Sequence, residues 1–433
     1  MILKLLAKAG FKSVAVITFF YLLLYIFIVL KFQSSNLIGD EKRYLEHARG
    51  ILNFEFTPSD PFMWLMNGPG YPLLLTPFVT LFSDPVLPIR LFNAILLAAS
   101  LIIFYKAMLF LVEKQIAFLS FLAFGSYFLI WKSLPLVMTE FPSIFFACSI
   151  IYYLLKPEKK NKDWLILAFL FAFSAMIKIV FGYIITFSIF FFGAYYFFIQ
   201  RNSFFLKTTR MLALALLLCT PWLLFTYGKT GRIFFWATSG GVNLYWISDP
   251  VPHEYGEYMD TEFTSAIGVP ESKIGFEQSH GEEIRRIVNN YSYLEQYDEF
   301  KRIALENMKR YPRAYLRNVI CNIGRFFFNY PFSYYKQRPS TLINIMINGP
   351  LVTFLIIASC ILLFQFKKTP PAILVIIIVS YFYMAINFSL SIAIRMMFTL
   401  FPLFLAWFTY IANDIWRKYS FFKENAGPEN LLE

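Results

Sequence analysis

Long apolar runs separated by short charged stretches set the pattern of this chain. Runs near 12–31, 86–112, 115–132, 137–155, 164–178, 179–199, 211–227, 343–366, 371–388 and 391–412 give about ten segments suited to crossing a membrane as helices. The first, Ser13 to Leu30, follows Lys4, Lys8 and Lys12 and ends in Lys31-Phe32-Gln33. It is longer than a signal-peptide core and has no small-residue cleavage site, so it reads as a retained transmembrane helix. The apolar stretch from Gly70 is short and carries Pro72 and Pro77, which predicts an interfacial or re-entrant segment. Counting it as a span would invert everything after it.

Charge supports that choice. Lys and Arg collect in Glu113-Lys114, Lys156 to Lys162, Arg201 to Arg210, Lys367-Lys368 and the tail from Arg417. All of these become cytoplasmic if the N-terminus is inside, as the positive-inside rule requires. Both termini are then cytoplasmic, in a plasma (inner) membrane, and two hydrophilic segments face outward: Phe32 to Pro69, and Gly228 to about Pro339. In the second, Tyr297, Phe300, Ile303, Ala304 and Met308 recur at helical spacing, and Pro312 suits the first turn of a following helix. Asp249 to Gly281 reads as loop. The expected fold is an all-α polytopic membrane protein with amphipathic juxtamembrane helices and a mostly helical outer-face domain. Residues 1–227 form an N-terminal transmembrane module whose first outer loop is 32–70. Residues 228–340 form the outer domain, and 341–433 the last helices and a short tail.

Composition fits. The chain is 58% hydrophobic and 15% charged, against about half and a quarter in soluble domains. The net charge of +12 lies mostly between apolar runs and needs no nucleic-acid partner. The 53 phenylalanines read as lipid-facing side chains, or as a groove for an isoprenoid tail. Cys148, Cys219, Cys321 and Cys360 show neither a disulfide framework nor metal spacing, and His47, His253 and His280 are scattered. Gly228-Lys229-Thr230 resembles the end of a phosphate loop, but Leu223 stands where a glycine is needed.

Ionisable residues within or beside membrane helices mark function by default. Asp40 and Glu41 follow the first helix, Glu140 begins the fourth span, Lys178 closes the fifth, and Arg395 opens the last. The topology brings all of them to the outer membrane surface. Group transfer from a phosphate ester is the simplest chemistry for such a set. A carboxylate accepts the proton of an attacking hydroxyl, while Lys and Arg stabilise the leaving phosphate. Each residue also has a plainer role open to it: Asp40 as a helix N-cap, Glu140 as a capping or interhelical group, Lys178 and Arg395 reaching to lipid headgroups.

These residues resemble the GT-C membrane glycosyltransferases, in the branch of the protein O-mannosyltransferases and the lipid A aminoarabinose transferase. An Asp-Glu-x-x-Tyr motif after the first helix is matched by Asp40-Glu41-Lys42-Arg43-Tyr44, and a Pro-containing segment by Asn67-Gly68-Pro69-Gly70-Tyr71-Pro72. Met138-Thr139-Glu140-Phe141-Pro142 resembles the Thr-Glu motif, and Met176-Ile177-Lys178 the basic residue ending a later span. Pro221-Trp222, then Ser239 to Tyr245, resembles the entry to the outer domain, and Arg395 with Pro402 the closing motif. The resemblance implies a polyprenyl-phosphate sugar donor and an inverting displacement with Asp40 as base. Glu41 and Glu140 would shape the site, Lys178 and Arg395 would hold the phosphate, and Tyr44, Asn243 and Tyr245 would contact substrate. Related aminoarabinose transferases carry a basic residue just before the Pro segment, where this chain has Asn67-Gly68. Arg232 or Lys229 is the candidate substitute. No metal or other cofactor is indicated, although a divalent metal is compatible with this chemistry. The partners implied are the lipid-linked donor, membrane lipids and an acceptor that is protein, lipid or glycan. A lipid-linked-sugar flippase and a non-catalytic envelope subunit are the alternatives, and transporters tend to show internal repeats that this chain lacks.

Overall fold

A computed structural model describes residues 11–425 apart from 35, 38, 59–63, 260–274, 276, 334–336, 338 and 392, with side chains to 417. Lys4, Lys8 and residues 260–274 of the expected loop thus lie outside the described residues. Among those described there are seventeen α-helices and no strand. They are α1 (Phe11–Phe32), α2 (Asp40–Leu52), α3 (Gly70–Leu81), α4 (Val86–Met108), α5 (Lys114–Gly125), α6 (Glu140–Leu155), α7 (Asn161–Ile177), α8 (Val180–Phe198) and α9 (Ser203–Leu218). There follow α10 (Thr220–Thr230), α11 (Ser239–Ile247), α12 (Glu282–Asn290), α13 (Tyr293–Arg310), α14 (Pro312–Phe328), α15 (Ser340–Gln365), α16 (Pro371–Phe388) and α17 (Arg395–Asn425).

All ten expected runs contain helix, but fewer are spans by length. Six helices, α1, α4, α8, α15, α16 and α17, are long and apolar enough to cross a membrane, and α9 with α10, bent by 46°, makes a seventh. The shortfall has local causes. The run expected over 115–132 breaks at Gly125, which packs under α1: Tyr25 Oη donates to Gly125 O at 3.1 Å, and a Cβ there would lie 2.5 Å from the Tyr21 ring. Beyond it the chain makes a 3-10 turn, Ile130–Ser133, so α5 has only 12 residues. α6 has 16 residues and begins late, because the chain ahead of it is tied to other segments: Leu136 O accepts from Asn93 Nδ2 at 2.8 Å and Val137 N donates to Glu41 at 2.7 Å.

α17 is the most enclosed of the six spans and packs on α4, α5, α6, α14, α15 and α16. α1 instead exposes Phe19, Phe20, Leu23 and Phe27, the pattern of a helix whose outer stripe meets lipid rather than protein. α3, with 12 residues, lies against α2 and α7, in keeping with a segment that does not span.

The two helices expected near Tyr297 and Pro312 are present as α13 and α14. Ser292 and Glu295 form a capping box that starts α13, and Pro312 opens α14 at a position where no amide hydrogen bond is lost. Tyr245, Trp246, Ile284, Ile287, Phe300 and Ile303 of α11, α12 and α13 make a second apolar cluster. α14 ties that cluster to the membrane helices. Asn318 donates to the carbonyls of Ile247 (3.1 Å) and Asp249 (2.7 Å), and Asn322 to that of Asn387 at the end of α16 (3.0 Å). All four cysteines are free.

Candidate active site

Asp40 is the first residue of α2, and Gly39 before it takes φ 57°, a left-handed conformation that glycine adopts without strain. The chain turns sharply there and then buries Tyr44, Leu45 and Ala48 on one face of α2. The Tyr44 ring meets the Tyr71 ring of α3 edge-on at 4.9 Å. This packing fixes Asp40, whose side chain makes no capping bond. Its two oxygens are divided between two arginines. Arg43 Nη2, one turn on, donates to Oδ1 at 2.6 Å, and Arg395 Nη2, from the first residue of α17, donates to Oδ2 at 2.6 Å. Burial by itself would raise the Asp40 carboxyl, but Arg395 and then Arg43 outweigh it and hold it below the usual aspartate range.

Lys178 and Glu140 form a second pair beside the first. Glu140 opens α6 and Lys178 caps α7; Nζ and Oε1 are 3.5 Å apart and both side chains are buried. Lys178 is set against the Pro-containing segment by two glycines. A Cβ at Gly68 would lie 2.3 Å from the Met176 carbonyl oxygen, and one at Gly70 would lie 2.6 Å from the Ile177 amide.

Glu41 is the neighbour of Asp40 but faces the other way. It is fully buried, and its Oε1 accepts from Arg90 Nη2 at 3.1 Å and from the Val137 amide at 2.7 Å. Arg90 also donates to Ser34 O at 2.7 Å. Glu41 therefore fastens α2 to α4 and to the segment ahead of α6, and it is not among the residues lining the cavity.

That cavity has a volume of about 930 Å³. Asp40, Arg43, Tyr44, Lys178, Asn243 and Arg395 line its polar part. Val180, Tyr183 and Phe187 of α8 and Phe382, Ala385 and Ile386 of α16 line an apolar extension. The other sequence candidates lie elsewhere. Arg232 pairs with Asp298 and stacks on Phe235 and Tyr297, Lys229 lies over the Phe225 ring, and Tyr245 sits in the second apolar cluster. Sequence reasoning passed over Arg43, although its position one turn from Asp40 was the available signal. With its amide oriented to satisfy both groups, Asn67 accepts from Arg43 Nε at 2.7 Å. Glu257, Tyr258 and Arg325 also reach the cavity, and no pattern in the sequence marks them.

What the arrangement can do chemically follows from its charges. A carboxylate, two guanidinium groups and an ammonium share one wall, next to an apolar channel. That set can bind a phosphate ester carrying a long apolar tail and can accept a proton beside it.

Residues 66–225 match the model of the family described as dolichyl-phosphate-mannose-protein mannosyltransferase. The matched stretch runs from just before α3 to α10; it contains Glu140 and Lys178, while Asp40 and Arg395 lie outside it. None of the curated proteins compared with the chain matches it. The family match and the all-helical architecture with membrane-length helices together support a membrane glycosyltransferase of the GT-C type.

Proposed function

We propose that the chain transfers a sugar from a polyprenyl-phosphate donor to an acceptor hydroxyl or phosphate, at the outer face of the membrane. The observation that carries this reading is Asp40 held between Arg43 and Arg395 where the polar and apolar parts of one cavity meet. The matched family's description names dolichyl-phosphate-mannose, a polyprenyl-phosphate sugar, and the donor class is carried over from it. The Lys- and Arg-rich connections support the orientation, with both termini cytoplasmic.

The reaction is a single inverting displacement. The acceptor oxygen bonds to the anomeric carbon as the bond from that carbon to the phosphate oxygen breaks. The acceptor proton passes to Asp40, and the electron pair leaves with the polyprenyl phosphate. In the free protein Asp40 is a weak base, because two arginines stabilise its ionised form. A donor phosphate competes for those same guanidinium groups. As it takes Arg395 and Arg43, the carboxylate loses its counter-charges and becomes more basic next to the acceptor. Lys178, paired with Glu140 and lining the same cavity as Arg395, is placed to add positive charge for the leaving group. The apolar extension between α8 and α16 takes the first isoprene units.

The test is release of polyprenyl phosphate by purified protein, over a panel of polyprenyl-phosphate sugars with membrane extract as acceptor source. Release that depends on acceptor and is lost in Asp40→Asn supports the reading. Equal release by wild type and Asp40→Asn removes Asp40 as the base and moves attention to transport or scaffolding.

A further inference from the structure

Away from the cavity, three residues with metal-binding side chains come together between α11 and α12. Asp249 lies two residues past α11, Glu254 lies in the loop beyond it, and His280 lies in the π-helical turn Glu277–Gly281 ahead of α12. Their exposures are 3%, 7% and 5%, and one ligand atom from each falls within 4.8 Å of the others. His280 Nε2 is 2.5 Å from Glu254 Oε2 and 3.6 Å from Asp249 Oδ2. Asp249 Oδ2 is buried with no hydrogen-bond partner among the described residues and is aimed at this point. The other Asp249 oxygen accepts from the Val251 amide at 3.0 Å, which fixes the carboxylate's direction.

The far side of the imidazole is also arranged. His280 Nδ1 is 2.9 Å from Tyr245 Oη, and that hydroxyl donates to Glu283 Oε2 at 2.8 Å. With the phenol proton committed to Glu283, Tyr245 Oη accepts from Nδ1–H. In the metal-free protein Nε2 also carries a proton, hydrogen-bonded to Glu254 and facing Asp249, and a metal ion would displace that proton to take the Nε2 lone pair beside the two carboxylates. A carboxylate-anchored relay behind an imidazole is the usual outer shell of a metal-bound histidine.

We propose that Asp249, Glu254 and His280 bind a divalent transition metal of the zinc class, with water completing the coordination. One imidazole and two carboxylates suit such an ion better than magnesium or calcium, which take oxygen ligands. The metal fastens the loop over 249–259 to the turn before α12. That loop carries Glu257 and Tyr258 to the cavity wall, and Arg317 already grips its carbonyls at Val251 and Glu254 (3.1 and 3.0 Å). The site thus stiffens one wall of the cavity from outside it.

The test uses the full chain in detergent with any affinity tag removed, stripped with a chelator, desalted, and then incubated with zinc, cobalt, magnesium or calcium. It needs neither donor nor acceptor, so its outcome is separate from that of the transfer reaction. Wild type is expected to retain about one zinc per chain by elemental analysis, with a raised thermal midpoint, and cobalt is expected to give a visible absorption band. His280→Ala and Asp249→Asn lose the metal. Glu283→Gln, which keeps all three ligands but loosens the relay, weakens zinc about 10–100-fold. Wild type that retains no more zinc than a buffer control overturns the proposal, whatever the variants do. So does His280→Ala that folds and binds zinc as wild type does.

Discussion

Arg395 donates to Asp40 across 355 positions of sequence, at 2.6 Å, and so joins the first residue of α2 to the first residue of α17. The contact closes the polar part of the cavity, because those helices belong to opposite ends of the chain. Asp40→Asn removes the proposed base and is expected to lower turnover by about 10²–10⁴-fold. Arg395→Lys keeps the charge but loses the planar fork that can hold Asp40 or a phosphate, so its turnover also falls. Polyprenyl phosphate release under single-turnover conditions measures both. Arg395→Lys with wild-type turnover would show that charge alone is enough there.

The two arginines also set a pH dependence. The Asp40 carboxyl is depressed below the ordinary aspartate value of 3.8. A depressed acid is ionised above that value, and its contribution is lost only as pH falls through the still lower folded-state value. The profile of kcat/KM, which reports the free protein, should therefore show no acid limb from Asp40 above about pH 5. The profile of kcat reports the donor complex, where phosphate has taken the arginines, so its acid limb should lie at higher pH. Coincident limbs in the two profiles would exclude that hand-over.

Glu41 tests the division of labour within one dipeptide. It is fully buried against Arg90 and the Val137 amide. Removing one partner of such a pair strands the other charge, at a cost of about 3–5 kcal/mol. Glu41→Ala should lower the thermal midpoint in detergent sharply, whereas Asp40→Asn should not. Glu41→Met with Arg90→Met should recover part of the loss, although the Val137 amide stays unpaired. A stable, inactive Glu41→Ala would instead place Glu41 in the chemistry.

How far the sequence could be read followed from the range of each interaction. α13 and α14 were legible because Tyr297 to Met308 and Pro312 encode helix locally. Asp40 and Arg395, Glu140 and Lys178 could be brought together because membrane topology puts distant helix ends at one level. Topology carries no rotation about a helix axis, which is why Glu41 was grouped with Asp40 although it faces Arg90. Nor does it carry tertiary pairing, so Arg232 was offered for phosphate while it pairs with Asp298. His280 appeared scattered because Asp249 and Glu254 meet it only through the fold. The apolar run over 115–132 is longer than α5 because hydropathy does not register a break at Gly125.

Gly68 leaves no room for a side chain beside α7. A Cβ there would lie 2.3 Å from the Met176 carbonyl, next to the residue that carries Lys178 into the cavity. Gly68→Ala must therefore displace backbone, with a cost of about 1–3 kcal/mol and a shift of Lys178. Gly228→Ala, whose Cβ meets nothing within 4 Å, is the matched control. Gly68→Ala should lower both the thermal midpoint and turnover, and Gly228→Ala neither. Two variants of equal stability would mean that the segment and α7 are not in this close contact.

The apolar extension between α8 and α16 gives the last prediction, because it separates binding from chemistry. Ala385 lines that extension and is itself exposed, so a larger side chain there fills the channel without displacing packed core. Ala385→Trp should raise KM for a long-chain donor and leave kcat nearly unchanged, the signature of lost uniform binding. A donor with a single isoprene unit fills less of that extension, so its KM should rise less in the variant than that of the long-chain donor. The ratio of the two donors' kcat/KM values is thus the informative number, since a general folding defect would lower both together. A variant that leaves the ratio unchanged would take the isoprenoid tail out of this channel, while Asp40, Arg43 and Arg395 would stay in contention for the phosphate.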